Sequence, residues 1–286
     1  MQHRGPPMLS FFASEGPGVP LAAEPVFNVG PLVITNSMFF GLIAAAVVMA
    51  IFILAARRTH KRPKSKYAFG VETMVEAIWG AITENFGGSR ERARKHLPLV
   101  LTLFTFILVN NLAGLLPGMG SITITTDDGV HPLLRPFTTD LNGTLALAIL
   151  TIGLVQFYAI RELGVIGHLK HYFTDKPWLP MNLFIGLIEV MGEFIRIITL
   201  SMRLFGVIYA GEVLLHVIAG LAGDFGWAAM VPVYFMEIFF SCIQAYIFIM
   251  LTTAYLGIAT AHSDSHSDDH SDSELKPATA NDTLTK

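Results

Sequence analysis

The feature that most constrains this chain is an apolar run that extends from Leu179 to about Gly220. A continuous helix of that length would measure about 60 Å, which is roughly twice the thickness of the hydrocarbon core of a bilayer. No proline interrupts the run between Pro180 and Pro232. The run therefore predicts one long, strongly tilted membrane helix, or a helical hairpin that lies obliquely in the membrane.

Composition agrees with a membrane location for the rest of the chain. The mean hydropathy is +0.55 and only 14% of the residues are charged, whereas a soluble domain has about 25%. The net charge of −3 gives no indication of nucleic-acid binding. Cys242 is the single cysteine, so an internal disulfide is excluded.

Four further apolar stretches have the length that a spanning helix needs. With the run described above, the predicted spans are residues 32–56, 97–116, 141–160, 179–220 and 230–258. Residues 68–86 differ, because apolar side chains recur there at intervals of three and four while Glu72, Glu76 and Glu84 fall elsewhere. We expect an all-α polytopic membrane protein with five transmembrane helices and one amphipathic surface helix.

Basic residues predict which ends face the cytoplasm. Six of the ten residues from 57 to 66 are Lys or Arg, and a seventh is His. The segment after residue 160 is also basic. The positive-inside rule places both segments in the cytoplasm, with the N-terminus outside and the C-terminus inside. We predict an extracytoplasmic segment 1–31, a membrane domain 32–260, and a disordered cytoplasmic tail 261–286 rich in His, Asp and Ser.

Charged residues on the long run form two separate faces at 100° per residue. Four lie within about 80° of one another, and two lie on the opposite face; the first set is Glu189, Glu193, Arg196 and Arg203, and the second is Glu212 and His216. Each ionisable group in a membrane costs about 2.5–3.5 kcal/mol on insertion scales, so such groups mark ion pathways or buried pairs. Pairing as packing charges is the alternative, above all for Glu193 and Arg196.

The last predicted span carries a matching polar stripe. Glu237, Ser241, Gln244 and Tyr255 are spaced close to whole helical turns. Because arginine does not deprotonate in proteins, Arg203 could block a proton while attracting a carboxylate. The pattern predicts two half-routes for an ion, offset on opposite faces and separated by one fixed cation.

Three segments carry a resemblance to a known family. SMRLFGVIYAGE at 201–212, CIQAYIF at 242–248 and PFTTDLNGT at 136–144 resemble the signatures of subunit a of the F-type ATP synthase, and 179–195 fits the same family. The resemblance covers about residues 30–260 in order. It implies a stator subunit beside a rotating ring of c subunits, with b-type peripheral stalk subunits as partners and contact with the catalytic F1 sector only indirectly.

The resemblance also implies roles for individual residues. Arg203 matches the essential arginine that faces the ring carboxylate, and Gln244 matches a glutamine opposite it, near Ser241. The outer half-channel would contain Glu212, Glu237, His216, Asp140, Asn142 and Thr144, and the cytoplasmic half-channel Glu189, Glu193 and Arg196. Val207 and Ile197 depart from the family, which usually has Asn and often Pro there, so the path of water near Arg203 is expected to differ. No cofactor and no metal are implied.

Two other classes of protein compete with this interpretation. A stand-alone secondary transporter or channel would show inverted repeats or broken helices, which the sequence lacks. An intramembrane metalloenzyme would need clustered His or acid ligands in the spans, and no HExxH motif occurs. We expect H⁺ rather than Na⁺ as the ion, and a bacterial plasma membrane rather than a mitochondrial inner membrane.

Overall fold

Almost all of the described chain is helical. The computed structural model describes residues 25–29, 32–58, 66–116, 123–126, 129–132, 134–172, 180–221 and 226–271. Its helices are α1 (Asn36–Arg58), α2 (Lys66–Asn85), α3 (Arg90–Gly114), α4 (Leu141–Tyr172), α5 (Pro180–Leu221) and α6 (Gly226–Ser271). Five of these, all except α2, are long and apolar enough to cross a membrane. The predicted fold class is confirmed: the chain is an all-α polytopic membrane protein.

Two short hairpins were not predicted. Strands β1 (Pro25–Val29) and β2 (Leu32–Thr35) pair antiparallel, as do β3 (Thr123–Thr126) and β4 (Gly129–Pro132). The first span therefore begins at Asn36 rather than at Leu32, where it was predicted. The Met38 N–H donates to the Thr35 hydroxyl at 3.4 Å, which is the contact of an N-capping side chain. The β-branched residues that precede the cap are in β2 instead.

The amphipathic pattern of α2 is confirmed. Ile78, Ile82 and Phe86 are buried, whereas all three predicted off-stripe glutamates are exposed. Gly87 and Gly88, at φ values of 64° and 79°, end the helix in the left-handed region that glycine adopts without a Cβ penalty. The apolar stripe of α2 thus packs against the rest of the protein, and its polar face is exposed.

Two helices extend beyond their predicted ends. The third span was predicted to end at residue 160, but α4 continues to Tyr172 beyond a non-helical position at Gly164, where φ is 76°. The candidate span within α4 ends at Glu162, close to the predicted end. Helix α6 runs to Ser271, although its candidate span ends at Thr260. Residues 1–24 and 272–286, and the side chains from 261 onward, lie outside the described residues, so the predictions for both termini stay predictions.

The long apolar run forms one uninterrupted helix. Helix α5 has 42 residues, which corresponds to about 63 Å. A helix of that length fits within about 30 Å of hydrocarbon only if its axis lies about 60° from the membrane normal. Of the two predicted arrangements, the long helix is therefore the one observed, and strong tilt follows from its length.

The described chain divides into two compact units. Its first unit contains the described residues within 25–58, 102–147 and 199–247. Within it, the Phe137 ring of the 3-10 turn Phe137–Thr139 packs edge-on against Phe106 at 6.0 Å and lies against Gly41 of α1. A Cβ at Gly41 would approach the Phe137 ring to 2.9 Å, so glycine permits this close contact. The turn that precedes α4 is thereby fixed against α1.

The second unit contains the described residues within 66–101, 148–198 and 248–271. Its interior includes His96, which is 2% exposed, stacks on Phe86 at 5.2 Å and meets Tyr158 edge-on at 5.0 Å. His96 Nε2 lies 3.5 Å from a Glu162 carboxylate oxygen. Asn85 donates to the Met250 carbonyl and to the Thr253 hydroxyl, at 3.3 and 2.7 Å, and so joins α2 to α6.

Candidate functional site

Arg203 lies exposed on α5. Neither a hydrogen bond nor an ion pair joins its guanidinium to any residue that the structure describes, and the residue is in the exposed class. Thr199, Met202, Gly206 and Ala210 are also exposed on this side of the helix. A Cβ built on Gly206 meets nothing within 4 Å. A permanent cation therefore occupies an uncovered helix face with two small residues.

Two further glutamates lie away from the Arg203 face. Glu212 is on the opposite side of α5, and Glu237 is on α6. Glu237 is 4% exposed, and its carboxylate packs directly against Gly211, where any Cβ would collide with it. Glu212 is half-buried, and its Oε2 receives no hydrogen bond from the described groups. A ring nitrogen of His216 lies 2.8 Å from the Glu212 carbonyl oxygen. The Glu237 carboxylate thus packs against the α5 residue that precedes Glu212.

Asp140 is the N-terminal cap of α4. Its Oδ1 accepts the Asn142 N–H at 3.1 Å, and its Oδ2 accepts the Ser37 hydroxyl at 2.7 Å. One carboxylate therefore joins the first turn of α4 to the first turn of α1, in the manner expected of an aspartate at an N-cap. One turn along α4, the hydroxyls of Thr144 and Ser201 lie 3.2 Å apart, which links α4 to α5. The Asn142 residue itself is exposed.

Three of the four residues of the polar stripe of α6 are buried, and the fourth, Tyr255, is half-buried. Glu237, Ser241 and Gln244 are all less than 5% exposed, as expected for three positions on one helical face. The Gln244 Nε2 has no partner among the described groups. No hydrogen bond joins Gln244 or Ser241 to Arg203 within those same residues.

The predicted cytoplasmic face of α5 contains an ion pair. The Arg196 guanidinium donates to the Glu193 carboxylate, one turn away on the same helix. The same guanidinium lies over the Tyr255 ring of α6, 5.0 Å from its centroid, which is within the range of a cation–π contact. Glu189 precedes this pair by one turn on the same face and is half-buried.

Sequence reasoning missed several buried polar groups. Arg135 is 3% exposed, and its Nε and Nη2 donate to the hydroxyl and the carbonyl of Thr139, at 3.2 and 3.1 Å. Asn110 and Asn111 at the end of α3 are also buried, and three of their side-chain atoms lack a described partner. Two features of the sequence could have indicated these groups. One is the pair of asparagines inside an apolar run, and the other is the arginine between Leu134 and Pro136.

The described chain combines five candidate spans, a buried polar track and an uncovered cation, and within it no three His, Cys, Asp or Glu side chains group as a metal site. These features define a polytopic membrane protein whose spans carry ionisable side chains. The profile of the ATP synthase A chain family matches residues 38–257. The chain therefore belongs to the ATP synthase A chain family.

Individual relatives agree with the family match. ATP synthase subunit a of Moorella thermoacetica is 31% identical over 232 residues, which cover 81% of this chain and 93% of that protein. The corresponding subunit of Enterococcus faecalis is 34% identical over 240 residues, covering 81% and 94%. That of Staphylococcus saprophyticus is 33% identical over 246 residues, covering 83% and 95%. The likeness extends over nearly the full length of each relative.

Proposed function

We propose that the chain is the stator ion-channel subunit of a rotary ATP synthase, in which Arg203 separates two offset half-channels that carry protons to and from carboxylates of a c-ring. The observation that carries the proposal is the exposed position of Arg203 on α5, where no residue that the structure describes pairs with it. An arginine that stays charged at all accessible pH values requires a counter-charge or water in a membrane. Because the described chain supplies no acid to Arg203, an acid on a partner helix is the natural counter-charge.

The geometry of α5 supports the offset of the half-channels. Glu212 follows Arg203 by nine residues, which corresponds to about 13 Å along the axis and half a turn around it. Glu189 precedes Arg203 by fourteen residues, about 21 Å away, on nearly the same face. Since α5 is one continuous helix, a proton route past Glu212 and a route past Glu189 reach Arg203 from different sides.

The proposed cycle uses charge neutralisation. A proton enters past Asp140, Glu212 and Glu237 and neutralises a ring carboxylate, which can then rotate into lipid at little cost. After almost a full turn the carboxylate meets Arg203, which favours its ionised form through opposite-charge pairing. The proton leaves along the Glu189 face. The membrane potential contributes about 2.3 kcal/mol per charge for each 100 mV.

The uncovered face around Arg203 fits such a partner. Gly206 and Ala210 beside it would let a neighbouring helix approach closely, as small residues do at helix contacts in membranes. Membership of a synthase implies peripheral stalk subunits as further partners, a multi-pass location in a bacterial plasma membrane, and ATP chemistry on other subunits. The chain itself forms no covalent bond with a substrate.

The test is ATP-driven acidification of inverted vesicles that carry the complex with Arg203→Ala. We expect pumping to be lost while the c-ring still co-purifies with the variant chain. Arg94→Ala is the matched control, because Arg94 is an exposed arginine in the first turns of α3, and it should pump normally. Full pumping by an assembled Arg203→Ala complex would contradict the proposal and leave Arg203 as a packing charge.

A further inference from the structure

Asn85, the last residue of α2, holds α6 through its side-chain amide. Its Nδ2 donates to the Met250 carbonyl at 3.3 Å and to the Thr253 hydroxyl at 2.7 Å. The Thr253 hydroxyl directs its own proton to the carbonyls of Ile249 and Met250 within α6, so its oxygen lone pairs can accept the amide N–H. Both hydrogens of the amide therefore have an acceptor on α6.

The backbone of Asn85 makes a second contact, further along α6. A Cβ at Gly257 would collide with the Asn85 carbonyl oxygen, so glycine permits α2 and α6 to approach this closely. That carbonyl is among the last of α2, which have no partner inside their own helix. Met250, Thr253 and Gly257 lie within about 60° of one another at 100° per residue. Asn85 thus contacts one face of α6 over about two turns.

The corner of α2 that carries Asn85 is itself fixed by the next residue. Phe86 is 4% exposed and stacks on His96 of α3 at 5.2 Å. His96 meets Tyr158 of α4 edge-on at 5.0 Å, and its Nε2 lies 3.5 Å from a Glu162 carboxylate oxygen. Asn85 therefore joins α6 to a corner that α3 and α4 already hold, and all of these contacts lie within the second compact unit.

The opposite face of α6 carries Tyr255. It follows Thr253 by two residues, which is about 200° around the helix, and its ring centroid lies 5.0 Å from the Arg196 guanidinium of α5. Arg196 in turn donates to the Glu193 carboxylate, and Glu189 lies about one turn before Glu193 on the same helix. The contacts thus run from α2 through α6 to the part of α5 that is assigned to the cytoplasmic half-channel.

We propose that Asn85 is a positioning residue of the cytoplasmic half-channel, which fixes α6 so that Tyr255 stays against Arg196 and Glu189 keeps its place on the proton route. The inference rests on the proposed function, because that function assigns Glu189 to the route. Hydrogen bonds are directional, whereas apolar contacts are not. The two amide bonds of Asn85 therefore fix the rotation of α6 as well as its distance from α2.

The positioning is measured first, without proton transport. Spin labels at Ile195→Cys on α5 and Ile258→Cys on α6, both exposed positions, report the distance between the helices in a purified Cys242→Ser complex. We expect a narrow distance distribution, which Asn85→Ala broadens or displaces. Thr73→Ala is the control, because the Thr73 hydroxyl bonds within α2, and it should leave the distribution unchanged. An unchanged distribution in an assembled Asn85→Ala complex would overturn the inference.

Proton conduction then tests the consequence for the half-channel. The assay is passive conduction through complexes stripped of their catalytic sector, normalised to the amount of c-ring, with the pH varied separately on each side of the membrane. A displaced cytoplasmic route makes the cytoplasmic step limit the rate. Conduction by Asn85→Ala should therefore fall several-fold, lose its dependence on outer pH and keep its dependence on cytoplasmic pH. A fall with both dependences unchanged would show a purely structural role and refute the positioning.

Milder variants apply if Asn85→Ala yields too little complex. Thr253→Val removes the hydroxyl and should reproduce the effect of Asn85→Ala, whereas Thr253→Ser keeps the hydroxyl and should conduct as the wild type does. Equal conduction by these two variants would contradict the proposal. Because Asn85 acts through Tyr255, Tyr255→Leu should add little to the loss in Asn85→Ala, and additive losses would exclude that connection. Normal pumping by Arg203→Ala would instead reject the proposed function, which the distance measurement does not depend on.

Discussion

Replacing Gly211 by alanine should disturb Glu237 specifically. A Cβ on Gly211 would overlap all three atoms of the Glu237 carboxyl group, and that side chain is only 4% exposed, so it has little room to move. Two effects oppose each other. Alanine favours the helix over glycine by about 1 kcal/mol, whereas overpacking a tight site costs about 1–3 kcal/mol and displacing a buried polar group costs about 1–3 kcal/mol more.

The balance predicts a net destabilisation of about 1–5 kcal/mol for Gly211→Ala, once the helix-propensity gain of about 1 kcal/mol is subtracted. We expect proton conduction by the assembled variant to fall, because the displaced Glu237 carboxylate lies on the proposed outer route. The assay is passive proton conduction through assembled, stripped complexes in vesicles, normalised to the amount of c-ring. Gly192→Ala is the control on the same helix, because nothing lies within 4 Å of a Cβ there, and it should conduct normally.

A double-mutant cycle locates the effect at Glu237. Glu237→Asp withdraws the carboxylate by one methylene and makes room for the new methyl group. We expect Gly211→Ala/Glu237→Asp to lose less than the sum of the two single changes, with an interaction of about 1 kcal/mol or more. Additive losses would refute the collision, as would normal conduction by an assembled Gly211→Ala complex.

Two further substitutions test contacts in the two compact units. Tyr255→Leu should destabilise the complex by about 1 kcal/mol, because it removes the ring beneath Arg196. Tyr255→Phe keeps the ring and should not destabilise it. The half-inactivation temperature of the purified complex distinguishes the two variants, and equal effects would exclude the cation–π contact. Ser37→Ala removes one of the two hydrogen bonds of the Asp140 carboxylate and should cost about 1–2 kcal/mol; a stability loss that persists fully in an Asp140→Asn background would contradict this assignment.

Much of the helical architecture follows from the sequence because lipid imposes a simple requirement. A backbone in hydrocarbon must satisfy its own hydrogen bonds, so a long apolar run predicts a helix with few alternatives. That reasoning located the spans, and for α5 it left a single long helix and a helical hairpin as alternatives, of which the structure shows the first. Periodicity located α2, since a helix with one buried stripe has a distinctive spacing.

The hairpins and helix ends were missed for a different reason. Three of residues 32–35 are apolar and three are β-branched, so the segment matches a membrane span in hydropathy as well as a strand in propensity. Tertiary context decides between the two, with Thr35 capping α1. The extension of α4 beyond Gly164 was missed as well. A single residue with positive φ can change the direction of the chain, and a second helical segment can still follow it.

Candidate site residues could be listed from the sequence, but their partners could not. Helical spacing put Glu193 and Arg196 on one face, and the structure pairs them. Spacing cannot place residues on different elements next to one another, so the contacts of Asp140 with Ser37 and of Gly211 with Glu237 required coordinates. Arg135 was overlooked because an arginine in a connecting segment normally faces solvent.

The contacts divide the predicted acids into two kinds. Both oxygens of Asp140 accept hydrogen bonds from the N-terminal turns of two helices, and the Glu193 carboxylate accepts from Arg196, which Tyr255 covers. A carboxylate so engaged would have to break stabilising contacts each time it took up a proton. Glu212 has an oxygen that no described group bonds, so protonation there breaks no such contact. We therefore expect Glu212 to exchange protons on the outer side, and Asp140 and Glu193 to hold the helices that form the route.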